Sequence, residues 1–150
     1  MSMNNTNGNW PVAASRPALG SRAIRFIAYL GLCAAYLQGG IVKLTDFPGA
    51  IAEMNHFGLT PAPLFAVLVI VLELVASLMI LMGRLRWLGA LGLAGFTLLA
   101  TGIALRYWEL PVGHERFMAT NSFFEHLGLV GGFLLVAWLD LHEKLVNRKF

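Results

Sequence analysis

One acidic residue, Glu73, lies at the centre of the apolar stretch VLVIVLELVASLMIL, which spans residues 67–81. An ionised carboxyl in hydrocarbon costs about 2.5 kcal/mol or more unless a cation or hydrogen-bond donors meet it. The position of Glu73 therefore indicates either a functional site or a structural contact that the fold requires.

Polar residues that could meet Glu73 lie near the ends of the other apolar segments. A cation ends the first segment, another cation follows the third, and an acid begins the fourth. Spacing and depth predict a single polar cluster inside a helical bundle, with Glu73 as its deepest acid. The candidate ligand-binding residues are Glu73, Lys43, Gln38, Arg106, Glu125 and Tyr36.

Small residues recur at helical spacing on two of these segments. They are Gly31, Ala35 and Gly39 in the first segment and Gly128 and Gly132 in the fourth. Small residues four positions apart let a second helix backbone approach closely. We therefore expect these faces to pack inward and to carry the polar groups with them.

A purely structural interpretation of the same polar residues stays open. Hydrogen bonds between membrane helices average about 0.6 kcal/mol and often serve only to hold a bundle together. Lys43, Arg106 and Glu125 lie near segment ends, where long side chains reach the interface. His126 lies there too.

Other kinds of site leave no pattern in the sequence. The four histidines show no metal-ligand spacing, the single Cys33 belongs to no redox motif, and no phosphate-binding or nucleophile motif occurs. We predict no metal, no covalently bound cofactor and no catalytic turnover by this chain alone. The basic residues form no stripe with interleaved aromatics, so we expect no nucleic-acid partner.

The composition is that of a membrane protein. The chain has 150 residues, of which 57% are hydrophobic and 13% are charged, and its mean hydropathy is +0.68. Four apolar segments span residues 23–42, 64–82, 87–105 and 123–139. Each is close to the ~20 residues that cross a hydrocarbon core. The sequence therefore predicts an all-α membrane protein with four transmembrane helices in one bundle, embedded in a lipid bilayer.

The cations predict the orientation of the bundle. Eight of the eleven Lys and Arg residues lie beside the two termini or in the turn between the second and third segments. The positive-inside rule therefore places both termini in the cytoplasm, for a multi-pass protein of a bacterial or archaeal cytoplasmic membrane.

The expected domain organisation follows from these segments. Residues 1–22 form a flexible tail, residues 23–142 form the bundle, and residues 143–150 form a basic tail. In the first outer loop, Ala50, Met54 and Phe57 recur at helical spacing, which predicts a short interfacial helix. Thr60 is expected to cap the second transmembrane helix, with Pro61 in its first turn.

The order of several motifs resembles that of the DoxX family of small bacterial and archaeal membrane proteins. Gly40 and Lys43 end the first span, Glu73 lies in the second, and a Gly-Gly pair lies in the fourth. The remaining matching positions are Met54, Gly58 and Pro63 in the loop, Gly83 and Arg84 in a turn, and Gly131 and Gly132 in the pair. Family members often carry Lys-Asn where this chain has Glu125 and His126.

The resemblance implies a four-helix membrane bundle, and it implies a function less directly. The family takes its name from a subunit linked to quinone-dependent oxidation, so one hypothesis is a redox-associated subunit that binds a quinone and works with an oxidoreductase partner. A structural or assembly protein and a small proton-coupled transporter are the alternatives, and a homo-oligomer is compatible with each.

Overall fold

Four long helices form the membrane bundle in the computed structural model, which describes residues 22–147. The helices are α1 (Arg22–Thr45), α2 (Phe47–His56), α3 (Ala62–Met82), α4 (Arg86–Ala104) and α5 (His114–Asn147), with a short 3-10 turn at Tyr107–Glu109. By length and composition, α1, α3, α4 and α5 can each cross a membrane. The predicted fold class is confirmed. The predicted flexible tail falls almost wholly outside the described residues.

The last helix differs most from its predicted bounds. α5 contains 34 residues, about 51 Å at 1.5 Å per residue, and it extends beyond the apolar segment 123–139 at both ends. No proline follows Pro111, so nothing in the chain forces an earlier end. The helix therefore continues into residues 143–147, which were expected to begin the basic tail.

The helices follow one another around the bundle. α1 packs on α3, α3 on α4, and α4 on α5, whereas α1 and α5 make only slight contact. Because the Lys43 end and the Arg86 end of the bundle differ in packing, we name the two ends after these residues. The main core includes Cys33, Ile80, Leu93 and Phe133, all with no exposed surface.

Glycines set the closest helix contacts, but not all at the predicted positions. A Cβ built on Gly89 would lie 2.6 Å from the carbonyl oxygen of Ala76, and one on Gly40 would lie 2.8 Å from Leu74. These two glycines bring α4 and α1 against α3.

The glycines predicted to pack have mixed outcomes. Gly39 lies beside Lys43 and Glu73, and a Cβ on Gly132 would lie 3.2 Å from Leu32. Gly31 and Gly128 have no neighbouring atom of the described chain within 4 Å of an added Cβ. The expected close approach of a second helix is therefore wrong for these two positions. Ala35 is exposed as well.

The short helix α2 has the predicted amphipathic character. Asp46 accepts a hydrogen bond from the Gly49 N–H at 3.0 Å and so caps its first turn. Ala50 and Met54 are buried, where they pack with residues at the start of α3.

The predicted start of the second span is wrong in detail. Pro61 precedes α3, after a cis peptide bond, and no side chain caps the helix. The first-turn proline is Pro63, whose missing N–H would have had no partner there.

A buried acid, Asp140, joins α4 and α5 at the Arg86 end. Its side chain is 7% exposed and lies 2.7 Å from Lys144 Nζ and 3.7 Å from Arg86 Nη1. The Trp87 N–H, in the first turn of α4, donates to the same carboxylate at 3.2 Å. The carboxylate is therefore met by two cations and by a free N–H of a helix N-terminus.

The cation Arg86 extends this network to the other two spans. Its Nε donates to the Ile80 carbonyl of α3 at 2.9 Å, and its guanidinium lies 4.6 Å from the ring centroid of Tyr29 on α1. The Asp140 network therefore contacts all four spans.

We predict that Asp140→Asn destabilises the protein by about 3 kcal/mol, because it leaves Arg86 partly buried without its counter-charge. Glu143→Gln is the matched control, since the Glu143 side chain is 49% exposed and pairs with Arg25 on the surface. Free energies of unfolding in detergent or lipid micelles measure the difference. Equal stability of the two variants would contradict a stabilising role for Asp140 in joining the helices.

We also predict that Gly89→Ala destabilises the protein by about 1–3 kcal/mol, because its Cβ forces α4 away from α3. Gly95→Ala on the same helix meets no atom of the described chain within 4 Å and is expected to leave stability equal or slightly higher. The same unfolding measurement compares the two. A Gly89→Ala protein as stable as Gly95→Ala would show that the close approach contributes little.

Candidate functional site

A cavity of about 630 Å³ occupies the Lys43 end of the bundle. Residues of all four spans line it, and α2 with the loop that follows it covers one side. Most of the wall is apolar. The polar side chains in the wall are Tyr36, Lys43, Glu53, Glu73, Thr97 and His126.

The buried acid Glu73 and the cation Lys43 lie next to each other in the wall of this cavity. Lys43 Nζ lies 3.6 Å from Glu73 Oε2 and 3.7 Å from Glu53 Oε2 of α2. A Cβ on Gly39 would lie 3.5 Å from both Lys43 Nζ and Glu73 Oε2. The absence of a side chain at position 39 therefore leaves room for the pair.

One oxygen of Glu73 is buried without a hydrogen-bond partner among the described residues. Glu73 is 5% exposed, and the oxygen concerned is Oε2. The 3.6 Å separation from Lys43 is longer than an ordinary N–H···O bond of about 2.7–3.2 Å. A buried acceptor without a donor is costly, so it is suited to a ligand that brings one.

The phenol of Tyr36 is held by neighbours on α4 and α5. The Thr97 hydroxyl donates to the Leu93 carbonyl at 2.6 Å, so its oxygen is the acceptor in the 2.5 Å bond with the Tyr36 hydroxyl. The ring packs edge-on against Phe96 and Phe133. With its hydrogen used in this way, the Tyr36 oxygen can accept one further hydrogen bond.

The same reasoning fixes the role of His126. The Thr101 hydroxyl donates to the Thr97 carbonyl at 2.6 Å, so in its 2.9 Å contact with His126 Nδ1 the imidazole nitrogen is the donor. In the neutral ring the remaining nitrogen, Nε2, is then an acceptor. His126 therefore adds another acceptor to a wall that already contains Glu73.

Three of the predicted cluster residues lie elsewhere. Arg106 pairs with Glu109 at 3.2 Å and its side chain is 54% exposed, while Glu125 and Gln38 are also exposed. At about 100° per residue, Gln38 lies about 200° from Tyr36 around α1, and Glu125 lies about 100° from His126 around α5. The prediction that these three converge with Lys43 and Glu73 is therefore wrong.

The roles of two α5 residues, His126 in the cavity wall and Asp140 in the network at the Arg86 end, were not predicted from the sequence. His126 and Asp140 lie on one helical stripe with Leu129, Phe133 and Val136, and this stripe faces the bundle. The available signal in the sequence was a stripe of apolar residues at helical spacing that begins and ends with a polar residue. Within residues 22–147, no group of three or more His, Cys, Asp or Glu is arranged to hold a metal ion.

Comparisons with known proteins agree with this architecture. The inner membrane protein YphA of Escherichia coli K12 is 26% identical over 133 residues, which cover 89% of this chain and 91% of the relative. No solved structure matches the chain. The family model DoxX matches residues 24–106, a range that contains Tyr36, Lys43 and Glu73 and ends before α5. The chain is therefore a multi-pass membrane protein that belongs to the DoxX family.

Proposed function

We propose that this protein is an inner-membrane subunit that binds a quinone or a similar amphiphile in the cavity at the Lys43 end. The observation that carries the proposal is an apolar cavity of about 630 Å³ in which a buried carboxylate oxygen has no hydrogen-bond partner among the described residues. Ligand sites commonly combine a mostly apolar wall with a few polar groups that orient the ligand.

The polar groups of the wall suit both redox states of a quinone. A quinone carbonyl accepts hydrogen bonds, and Lys43 Nζ is a donor in the wall. A quinol hydroxyl donates, and the Glu73 carboxylate and His126 Nε2 are acceptors in the wall. The site therefore offers partners to the head group before and after the transfer of two electrons and two protons.

The electrons of such a couple require a second redox centre. We assign this role to an oxidoreductase partner subunit, while the present chain holds the quinone and exchanges its protons. The relative is an inner membrane protein. The cations predict that both termini are cytoplasmic, and this orientation would place the Lys43 end and its cavity in the outer leaflet. A homo-oligomer in the membrane is compatible with this arrangement.

A structural role for the polar cluster is the second candidate. It is favoured by one observation, the position of Lys43 between Glu53 of α2 and Glu73 of α3, which ties α1 to both. In this case the cavity would hold only lipid chains, and the ion pair would serve to position α2.

We predict that Glu73→Gln weakens binding of decylubiquinone about tenfold or more, because one charged hydrogen bond is lost. Glu125→Gln is the matched control, because it removes an exposed acid outside the cavity. Binding to protein in nanodiscs, with native mass spectrometry of the gently extracted protein, measures both variants. A wild-type protein that binds no quinone, or equal binding by the two variants, would rule out the proposed site.

The double variant Lys43→Met, Glu73→Leu separates the two candidate functions. Replacing a buried ion pair by apolar residues of similar size is often neutral or stabilising, so we expect the bundle to stay folded and quinone binding to be lost. Thermal unfolding and decylubiquinone titration on the same sample measure both properties. Retained binding with reduced stability would instead assign the pair a structural role.

A further inference from the structure

Several side chains line the cavity and are also exposed at the surface of the bundle. They lie on the facing sides of α3 and α4, where Leu68 is 52% exposed, Leu99 is 70% exposed and Ile103 is 39% exposed. A side chain with both properties lies at an opening. Since all three are apolar and belong to membrane-spanning helices, this opening faces lipid rather than water.

The packing of α3 against α4 explains the position of the opening. Near the Arg86 end, a Cβ on Gly89 would lie 2.6 Å from the Ala76 carbonyl, and one turn further Gly92 faces Leu72 at 3.4 Å. Towards the Lys43 end the facing residues are large, and the cavity lies between them. The two helices are therefore in contact at one end and separated at the other.

Helix α2 and the loop that follows it form the water-facing side of the cavity. Apolar side chains of α2 and its following loop, Met54, Phe57 and Leu59, form that part of the wall. α2 is held by the Lys43–Glu53 pair and by the packing of Ala50 and Met54 against the start of α3. Glu53 of the same helix also lines the cavity and its side chain is 44% exposed, so an apolar chain entering from the water side would have to pass a charged group. A ligand dissolved in lipid meets only apolar side chains between α3 and α4.

We propose that the cavity is filled from the leaflet at the Lys43 end, through the opening between Leu68 and Leu99. The ligand class is an amphiphile with a hydrocarbon chain, whose head group reaches Glu73 and whose chain leaves through this opening. Leu68 lies six residues into α3 and Leu99 five residues from the end of α4, so both are about 8–9 Å below their helix ends and within one leaflet. This inference rests on the proposed function and narrows it to chain-bearing ligands.

One competing opening has to be distinguished. Ala35 of α1 also lines the cavity and is exposed. Below it, Leu32 approaches Gly132 of α5 closely, so a second opening would lie between the Lys43-end halves of α1 and α5.

A photoreactive quinone tests the path of the chain. The probe is a benzoquinone with a decyl chain that ends in a diazirine, bound to the wild-type protein in nanodiscs and mapped by mass spectrometry. We expect labels at residues 68, 99 and 103. We also expect decylubiquinone to compete at concentrations on the order of tenfold lower than the chainless ubiquinone-0, since its apolar chain concentrates it in the bilayer from which the cavity is filled. Labels at Ala35 or on α2, or equal competition by the two quinones, would overturn the opening between α3 and α4.

A pair of variants tests the opening by its kinetics. Leu99→Trp narrows it, whereas Leu98→Trp alters a neighbouring side chain that is 53% exposed and does not line the cavity. We expect Leu99→Trp to slow decylubiquinone association and dissociation together, each on the order of tenfold, with little change in affinity. Leu98→Trp should leave both rates at wild-type values. Equal rates in the two variants would overturn the proposed opening, whereas a complete absence of quinone binding by the wild-type protein would overturn the proposed function itself.

Discussion

Hydrocarbon solvates no charge, so each acid inside this bundle has to find its partners in the protein. The bundle contains two such acids, one towards each end. Asp140 is met by two cations and a backbone N–H, in a network that reaches all four spans. Glu73 is met by one cation at 3.6 Å and keeps an oxygen without a hydrogen bond among the described residues. The difference between these two environments divides the molecule into a packed end and an open end.

The division continues in the apolar packing. Near Asp140, glycine and alanine residues let α3 and α4 approach until a single Cβ would collide with a carbonyl oxygen. Near Glu73, leucine and phenylalanine side chains surround a cavity and α2 covers it. The helices are therefore in close contact at one end and separated around a cavity at the other.

The fold followed from the sequence because length and apolarity alone define a membrane span. Four segments near 20 residues, with cations concentrated at one side, admit few architectures other than a four-helix bundle. The polar residues were harder to place because the depth of a residue in the membrane does not give the rotation of its helix about the helix axis. Lys43 lies 3.6 Å from Glu73 in the structure, whereas Arg106, Gln38 and Glu125, which were grouped with them by depth, are exposed.

The rotation of each helix could have been predicted in part from its buried stripe. On α5 the buried stripe that contains Leu129 and Phe133 also contains His126 and Asp140 but does not contain Glu125. On α1, Tyr36, Gly40 and Lys43 share a face that excludes Gln38. The hydrogen bonds that fix Tyr36 and His126 could not be predicted, because they depend on threonine hydroxyls whose own hydrogens are used by the α4 backbone.

The position of Lys43 between two glutamates has an electrostatic consequence for what the cavity accepts. With all three groups ionised, this trio carries a net charge of −1, and both acids lie within 4 Å of the same ammonium group. An anionic amphiphile such as a fatty acid would bring a second uncompensated charge to a site of low dielectric constant, where like charges repel strongly. With these charges, the second glutamate makes the cavity less favourable for an anionic amphiphile than for a neutral one of the same chain length.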